Sequence, residues 1–370
     1  MTKDDVMSLL VYIIMIAFAV IVGLTIVKPS IESGLIPSGG ASFLFLLICL
    51  LIGIVLNGAL IEVGHLLGAK IGGYSILSCN ILSFAFYKEK EAENKLKWKF
   101  SVFKTFDGLT GETIITPKKE EAKPMANIFL PIVFFLIEVA VCVFFFNYIK
   151  DDRNNTSLML IKYGFFVVTC IGAMINIYNY FPAKLDSMND GYRLVFLNKK
   201  INTEAYNELL RVKGCKLLGT DYGDIKTFDT ITDFTAKVNL LSALNYVNKD
   251  KDKTFNIIDN VINNEKNISK STLRDATIYK SYVYFLLNED DKAKEIYDQL
   301  NDETKRYIRL CNDMFSIRYY LFYAYRIEKS TSEVDRALER SNKILKRILP
   351  GDKDEEVRLL QDVKERLNLK

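Results

Sequence analysis

The stretch Ile61-Glu62-Val63-Gly64-His65 places a glutamate and a histidine where zinc hydrolysis would use them, with one donor missing. In the helical signature H-E-x-x-H, two imidazoles one turn apart hold the metal. The glutamate beside the first is the general base for metal-bound water. Glu62 and His65 fill the second and fifth places, but Ile61 stands at the first and has no lone pair to give. His65 is the only histidine in the 370 residues, so no other imidazole can replace it. Asn57, Ile61 and His65 follow at i, i+4 and i+8 and share one helix face, with Glu62 beside it. Gly58, Ala59, Gly64, Gly68 and Ala69 around them permit close approach of neighbouring helices.

These residues end an apolar run, and the elements that must position them are membrane helices. About 20 apolar residues cross a hydrocarbon core of about 30 Å, and four segments are long enough. They are Leu9–Val27, Ser42–Ile61 with its helix running on to about Lys70, Met125–Ile149 with one acid, Glu138, and Tyr163–Phe181. A glutamate and a histidine at the end of such a span are costly unless partnered and so mark a candidate site. Glu138 reads either as a partner for a polar group inside the bundle or as a second functional acid. The connection over 70–125 holds ten lysines against seven acids, while the other two loops hold Lys28, and Lys150 with Arg153. Lysine bias puts that connection, the N-terminus and the C-terminal half in the cytoplasm. Its runs YSILSCNILSFAFY and KLKWKFSVF predict two to four short strands at the membrane surface, within about 74–118. The N-terminal span is too long for a signal h-region and reads as retained. The six cysteines show no C-x-x-C pair, which argues against a disulfide framework or a thiolate zinc site. A net charge of +4 is too small and dispersed for nucleic acid, so no nucleic-acid partner is expected.

A second motif follows the fourth span in NYFPAKLDSMNDGYRL: Asn179, Pro182 and Asp190-Gly191. With Ile61–His65, Ala69 and Gly73, it resembles the site-2 proteases, the intramembrane zinc metalloproteases. Their helix reads H-E-x-G-H-x-x-x-A-x-x-x-G, and their later N-x-x-P turn precedes an Asp-Gly. The resemblance covers roughly residues 40–195, including the strand-rich insertion. It implies Glu62 as general base and His65 and Asp190 as zinc ligands, with Asp186 as a competitor for the last. It also implies a zinc cofactor, which Ile61 leaves short of the three protein ligands a catalytic site keeps. Asn57 and Asn179 are weak oxygen donors that could only partly make up the loss.

The charged remainder, residues 199–370, reads as amphipathic helix pairs. AKVNLLSALNYVN precedes DKTFNIIDNVINNE, STLRDATIYKSYVYFLLN precedes DDKAKEIYDQL, and MFSIRYYLFYAYRI precedes TSEVDRALERSNKILKRIL. Ile258 and Ile296 are 38 residues apart at matching places, near the tetratricopeptide period. The small and aromatic positions Ala276, Tyr279, Tyr282, Phe285, Ala293, Ile296 and Tyr297 fit such hairpins, and an irregular helical domain is the other reading.

The expected fold is a polytopic α-helical membrane protein with a short β insertion and a cytoplasmic all-α, tetratricopeptide-like domain. Its parts are 1–40 (first helix and loop), 41–198 (site-2-protease-like core) and 199–370. Three functions stay open. The first is a degenerate protease that binds a membrane-spanning or membrane-bound peptide or protein, with a cytoplasmic partner recruited through 199–370. The second is an active intramembrane zinc protease with an atypical ligand set. The third is a membrane adaptor or transport component acting through its helical domain. The lysine bias predicts both termini inside. Cysteines placed at Ser38, Asn94 and Lys370 should label from outside only at the first, and labelling of Asn94 from outside would reverse the orientation.

Overall fold

The computed structural model describes residues 3–36, 39–81, 84–90, 95–102, 112–119, 121–182 and 188–369. It is mostly helical and divides into two compact units: Met1–Ala85 with Phe106–Lys199, and Phe86–Thr105 with Lys200–Lys370.

The first unit is built on four helices long and apolar enough to cross a membrane. Helix α1 (Lys3–Val22) passes through a π-type turn (Gly23–Val27) into α2 (Lys28–Glu32), giving one apolar rod that reaches Glu32. It outruns the expected Val27 because Ser30, whose hydroxyl bonds Ile26 O at 2.6 Å and Tyr163 Oη at 2.8 Å, holds the last turn. Helix α3 (Gly40–Gly72) has 33 residues, a length of about 50 Å at helical rise. Helix α4 covers Met125–Tyr148, and α5 covers Thr156–Tyr180. The expected start of the last at Tyr163 is too late. Lys162 folds back onto Ile149 O at 2.9 Å and Asp151 at 2.7 Å, and Asn155 caps the helix by accepting from Leu158 N. A lysine so partnered no longer ends an apolar helix.

Helix α3 is the hub, packing against both α4 and α5. A Cβ at Gly64 would lie 2.6 Å from Pro131 Cα, and one at Gly68 2.3 Å from Ala126 O. The backbones of α3 and α4 therefore touch along a stripe of small residues. On the other side, a Cβ at Gly172 of α5 would lie 2.3 Å from Asn57 Oδ1, so α5 yields room to a polar side chain of α3.

Strand β1 (Tyr74–Ile81) leaves α3, and β4 (Glu112–Pro117) leads towards α4. The two pair antiparallel from Tyr74↔Pro117 to Asn80↔Glu112, with an irregularity between Ile76 and Ser78 where the buried Leu77 is accommodated. Lys118 N donates to Gly73 O and Lys123 N to Gly72 O, closing the connection at the end of α3. In the chain between them come β2 (Phe84–Lys90) and β3 (Leu96–Val102), of which Phe86–Val102 falls in the second unit; the two strands are neighbours whose Phe86 and Phe100 rings lie 4.9 Å apart. Phe84, Phe86, Leu96, Trp98 and Phe100 are all exposed there, with lysines between them. Helix α6 (Asp190–Phe196) ends this unit.

In the second unit, α7 (Lys200–Leu217) precedes three helix pairs. They are α8 (Asp233–Tyr246) with α9 (Lys251–Asn263), α10 (Lys270–Leu286) with α11 (Asp290–Gln299), and α13 (Met314–Phe322) with α14 (Thr331–Leu345). The buried stripe runs at a spacing of 39, Thr254 to Ala293 and Ile258 to Tyr297, one residue more than the Ile258–Ile296 spacing. Ile296 is only half-buried, since a helix presents the residue beside it to the core. An extra helix, α12 (Asp302–Leu310), lengthens the step to the third pair. Asp233 joins the starts of two pairs by accepting from Ser269 N at 3.0 Å and from the Thr272 hydroxyl. The last helix, α15 (Pro350–Arg366), turns back onto α7 and α13, where Glu355 meets Lys216 at 3.2 Å and Glu356 meets the buried Arg318. The array is thus closed on itself through its final helix.

The contact of α3 with α4 sets a prediction. Gly68→Leu must separate two touching backbones and should cost about 1–3 kcal/mol, the range for overpacking a filled interior. The check is a clear drop in apparent Tm in detergent, with no such drop for Gly39→Ala, where a Cβ meets open space.

Candidate functional site

The site is assembled around the end of α3. Pro131 lies inside α4 and has no N–H, so it leaves the carbonyl of Asn127, four residues earlier, without its helical donor. His65 takes that place. Its Nδ1 donates to Asn127 O at 2.9 Å, and Asn127 Nδ2 donates back to His65 O at 2.7 Å. One asparagine therefore fixes both the ring and the backbone of the histidine. Tyr180 adds a bond to the next carbonyl, from its hydroxyl to Ile128 O at 2.9 Å.

Asp190 reaches the same ring from α6. Helix α5 stops at Phe181, whose extended backbone is what a following proline demands. Asn189 caps α6 by accepting from Tyr192 N at 2.8 Å, and its amide donates to Phe181 O at 2.7 Å. A Cβ at Gly191 would lie 2.1 Å from Tyr180 O, so only glycine lets α6 begin this close to the end of α5. That close approach puts Asp190 Oδ2 3.1 Å from His65 Nε2. Asn179 Nδ2 donates to Oδ2 at 2.8 Å, and Arg193 donates to Oδ1 at 3.3 Å. Burial by itself would raise the Asp190 pKa, but the hydrogen bond and charge of His65, with Arg193 and Asn179, hold it below the usual carboxylate range.

Glu62 is buried beside this pair and accepts a hydrogen bond from the Thr113 hydroxyl of β4. Thr113 faces Cys79 across the β1–β4 ladder. Burial, with the Glu62 charge adding to it, pushes the Cys79 thiol up and keeps it protonated. The fold thus brings a cysteine close to the site that its sequence position had set apart. Deeper in the bundle, Asn57 Nδ2 donates to Gly53 O at 3.0 Å, Val168 O at 3.3 Å and Glu138 Oε1 at 3.4 Å. Glu138 serves as a partner for Asn57, and its other oxygen is buried with no hydrogen-bond partner among the described residues.

The structure therefore brings together His65 and Asp190, with Glu62 alongside, from the residues the two motifs single out. Asn179 serves the carboxylate of Asp190, and Asn57 belongs to the Glu138 group. Asp186 lies outside the described residues. Asn127, Pro131, Thr113 and Arg193 complete the site and were not singled out by the motifs. Of these, Pro131 carried a legible signal, since a proline within an apolar span leaves a carbonyl open.

The donor set does not fit a catalytic zinc. Such a site needs three protein ligands and one open position. Ile61, one turn before His65 on α3, is buried and carries no donor atom. Among the described residues, no three His, Cys, Asp or Glu side chains are arranged to hold a metal. Both nitrogens of His65 face acceptor oxygens, an arrangement that satisfies a ring bearing two N–H groups and leaves no lone pair free.

Asp190→Asn should destabilise the fold by about 3–5 kcal/mol, the cost of stripping one member from a buried ion pair. Gly191→Ala should also destabilise it, because the added methyl meets the Tyr180 carbonyl. Thermal unfolding of both variants in detergent, compared with Asp152→Asn in an exposed loop, checks this. No family model, curated protein or solved structure matches this chain.

Proposed function

We propose that this is a site-2-protease-like integral membrane protein in which a histidine–aspartate ion pair takes the place of the zinc centre. In this reading the bundle binds a membrane-spanning or membrane-bound peptide or protein without hydrolysing it. The observation that carries the reading is the 3.1 Å contact of His65 Nε2 with Asp190 Oδ2 beside a buried Ile61. The two groups that the family motif would turn towards a metal are spent on each other. The candidate base, Glu62, is held by Thr113. What remains is a rigid polar end to a helical bundle, able to hold the backbone or a polar side chain of a peptide. The orientation proposed from the lysine bias puts this end and the helix pairs in the cytoplasm, where residues 199–370 act as a recruiting module.

The test is metal content with and without the missing donor. The purified protein should hold well under one zinc per chain, and Ile61→His should raise the occupancy clearly by restoring the i, i+4 imidazoles on one face. A photo-crosslinking residue at Val63, an exposed position of α3, should capture a membrane polypeptide in cells. Near-stoichiometric zinc in the unmodified protein, with a peptidase activity abolished by Glu62→Gln, would mean an active protease with an unfamiliar ligand set.

A further inference from the structure

A groove of about 710 Å³ opens in the helical unit between α12 and α14, with Tyr297 and Tyr320 in its wall. Its lining carries six lysines and arginines against three acids, Asp302, Glu333 and Glu339. Two of those acids are already used. Glu333 accepts from Arg336 at 2.7 Å and from the Tyr320 hydroxyl at 2.9 Å, with Arg309 at 3.8 Å, and Glu339 pairs with Lys343 at 2.7 Å. Lys305, Arg306 and Arg340 are left in excess. Lys305 donates to the carbonyl of Asp298 and lies 5.7 Å from the centre of the Tyr297 ring.

Arg340 gives the groove its chemistry. Its Nη1 donates to Arg309 O, while its buried Nε has no partner. The guanidinium is thus fixed by one nitrogen while the side chain lines the groove. A guanidinium fixed in this way offers a carboxylate a positioned positive charge. Glu333, held by Arg336, Arg309 and Tyr320, shows that this wall already accommodates a carboxylate. Leu310, 61% exposed, adds apolar surface that a bare ion would leave uncovered.

We propose that this groove binds a short acidic peptide segment of a partner protein, with one Asp or Glu side chain on Arg340 and a neighbouring acid on Arg306. The charge excess argues for the acid, and the exposed Leu310 argues for a peptide with an apolar side chain beside its acids. A volume of about 710 Å³ lies within the range of about 300–1,000 Å³ that takes small ligands, so a few residues fill it. This site is independent of the reading given for the membrane bundle.

The test uses the full-length protein in detergent and a fluorescein-labelled hexapeptide alternating Glu and Leu, followed by anisotropy. The acidic peptide should bind at least tenfold more tightly than its Gln/Leu counterpart, and more weakly as salt is raised. Arg340→Gln and Arg306→Gln should each weaken binding tenfold or more, while Lys266→Gln, on a remote surface, should not. Arg306 is exposed, so its variant keeps the test valid even where Arg340→Gln disturbs the fold. Equal binding of the two peptides, or unchanged binding by the Arg306 and Arg340 variants, would overturn the proposal. So would full displacement by millimolar inorganic phosphate, which would indicate a small-anion site. Arginine-dependent binding of phosphatidylserine vesicles, with no peptide binding, would assign the groove to lipid and equally overturn it.

Discussion

A polar group withdrawn from water into a helical bundle must find a partner inside the protein, and that requirement organises the first unit. His65 meets it twice, at the Asn127 carbonyl and at the Asp190 carboxylate. Each bond depends on a residue that gives something up. Pro131 has no N–H and so releases a carbonyl, and Gly191 has no Cβ and so admits α6 to within reach. Neither is a polar residue, yet the polar site cannot form without them. Asn57 and Glu138 obey the same rule deeper in the bundle, where Gly172 makes the space their contact needs.

Close backbone contact is the second link. The stripe of Gly64 and Gly68 lets α4 lie against α3, and only at that distance can Asn127 clasp both the ring and the carbonyl of His65. Such contact gives packing and interhelical hydrogen bonding their full effect. The β1–β4 ladder then closes the same end. It joins the exit of α3 to the entry of α4 and sets Thr113 over Glu62. Packing, capping and chemistry at this end are therefore one construction.

What was legible in the sequence followed from how far along the chain each relation reaches. Glu62 and His65 are three residues apart on one helix, so their shared neighbourhood could be read from helical periodicity alone. Asp190 could be placed only through its Asn-Pro-Asp-Gly context, and Cys79 and Thr113 had no such context. Their approach to Glu62 depends on strand register, which shifts at Ile76/Ser78 and is not visible in composition. In the helical unit, the pairs were visible as apolar stripes. The spacing of 39 rather than 38 was not, because Ile296 and Tyr297 are both apolar and only packing chooses between them. Helix α12 was hidden by its charges, with only Thr304 and Ile308 buried.

Charge balance explains how two acids are kept from water at the end of α3. The bundle has to accommodate Asp190 and Glu62 away from water. Arg193 and His65 both turn to Asp190, and Thr113 serves Glu62, so each acid is answered by a group supplied from the chain itself. A deletion of Asp190 or Glu62 would leave the opposite partner stranded, whereas their joint presence keeps the end of α3 fully bonded. Glu62, His65 and Asp190 are thus each held by a partner within the chain, and it is this partnering that lets three polar side chains gather at the buried end of one helix.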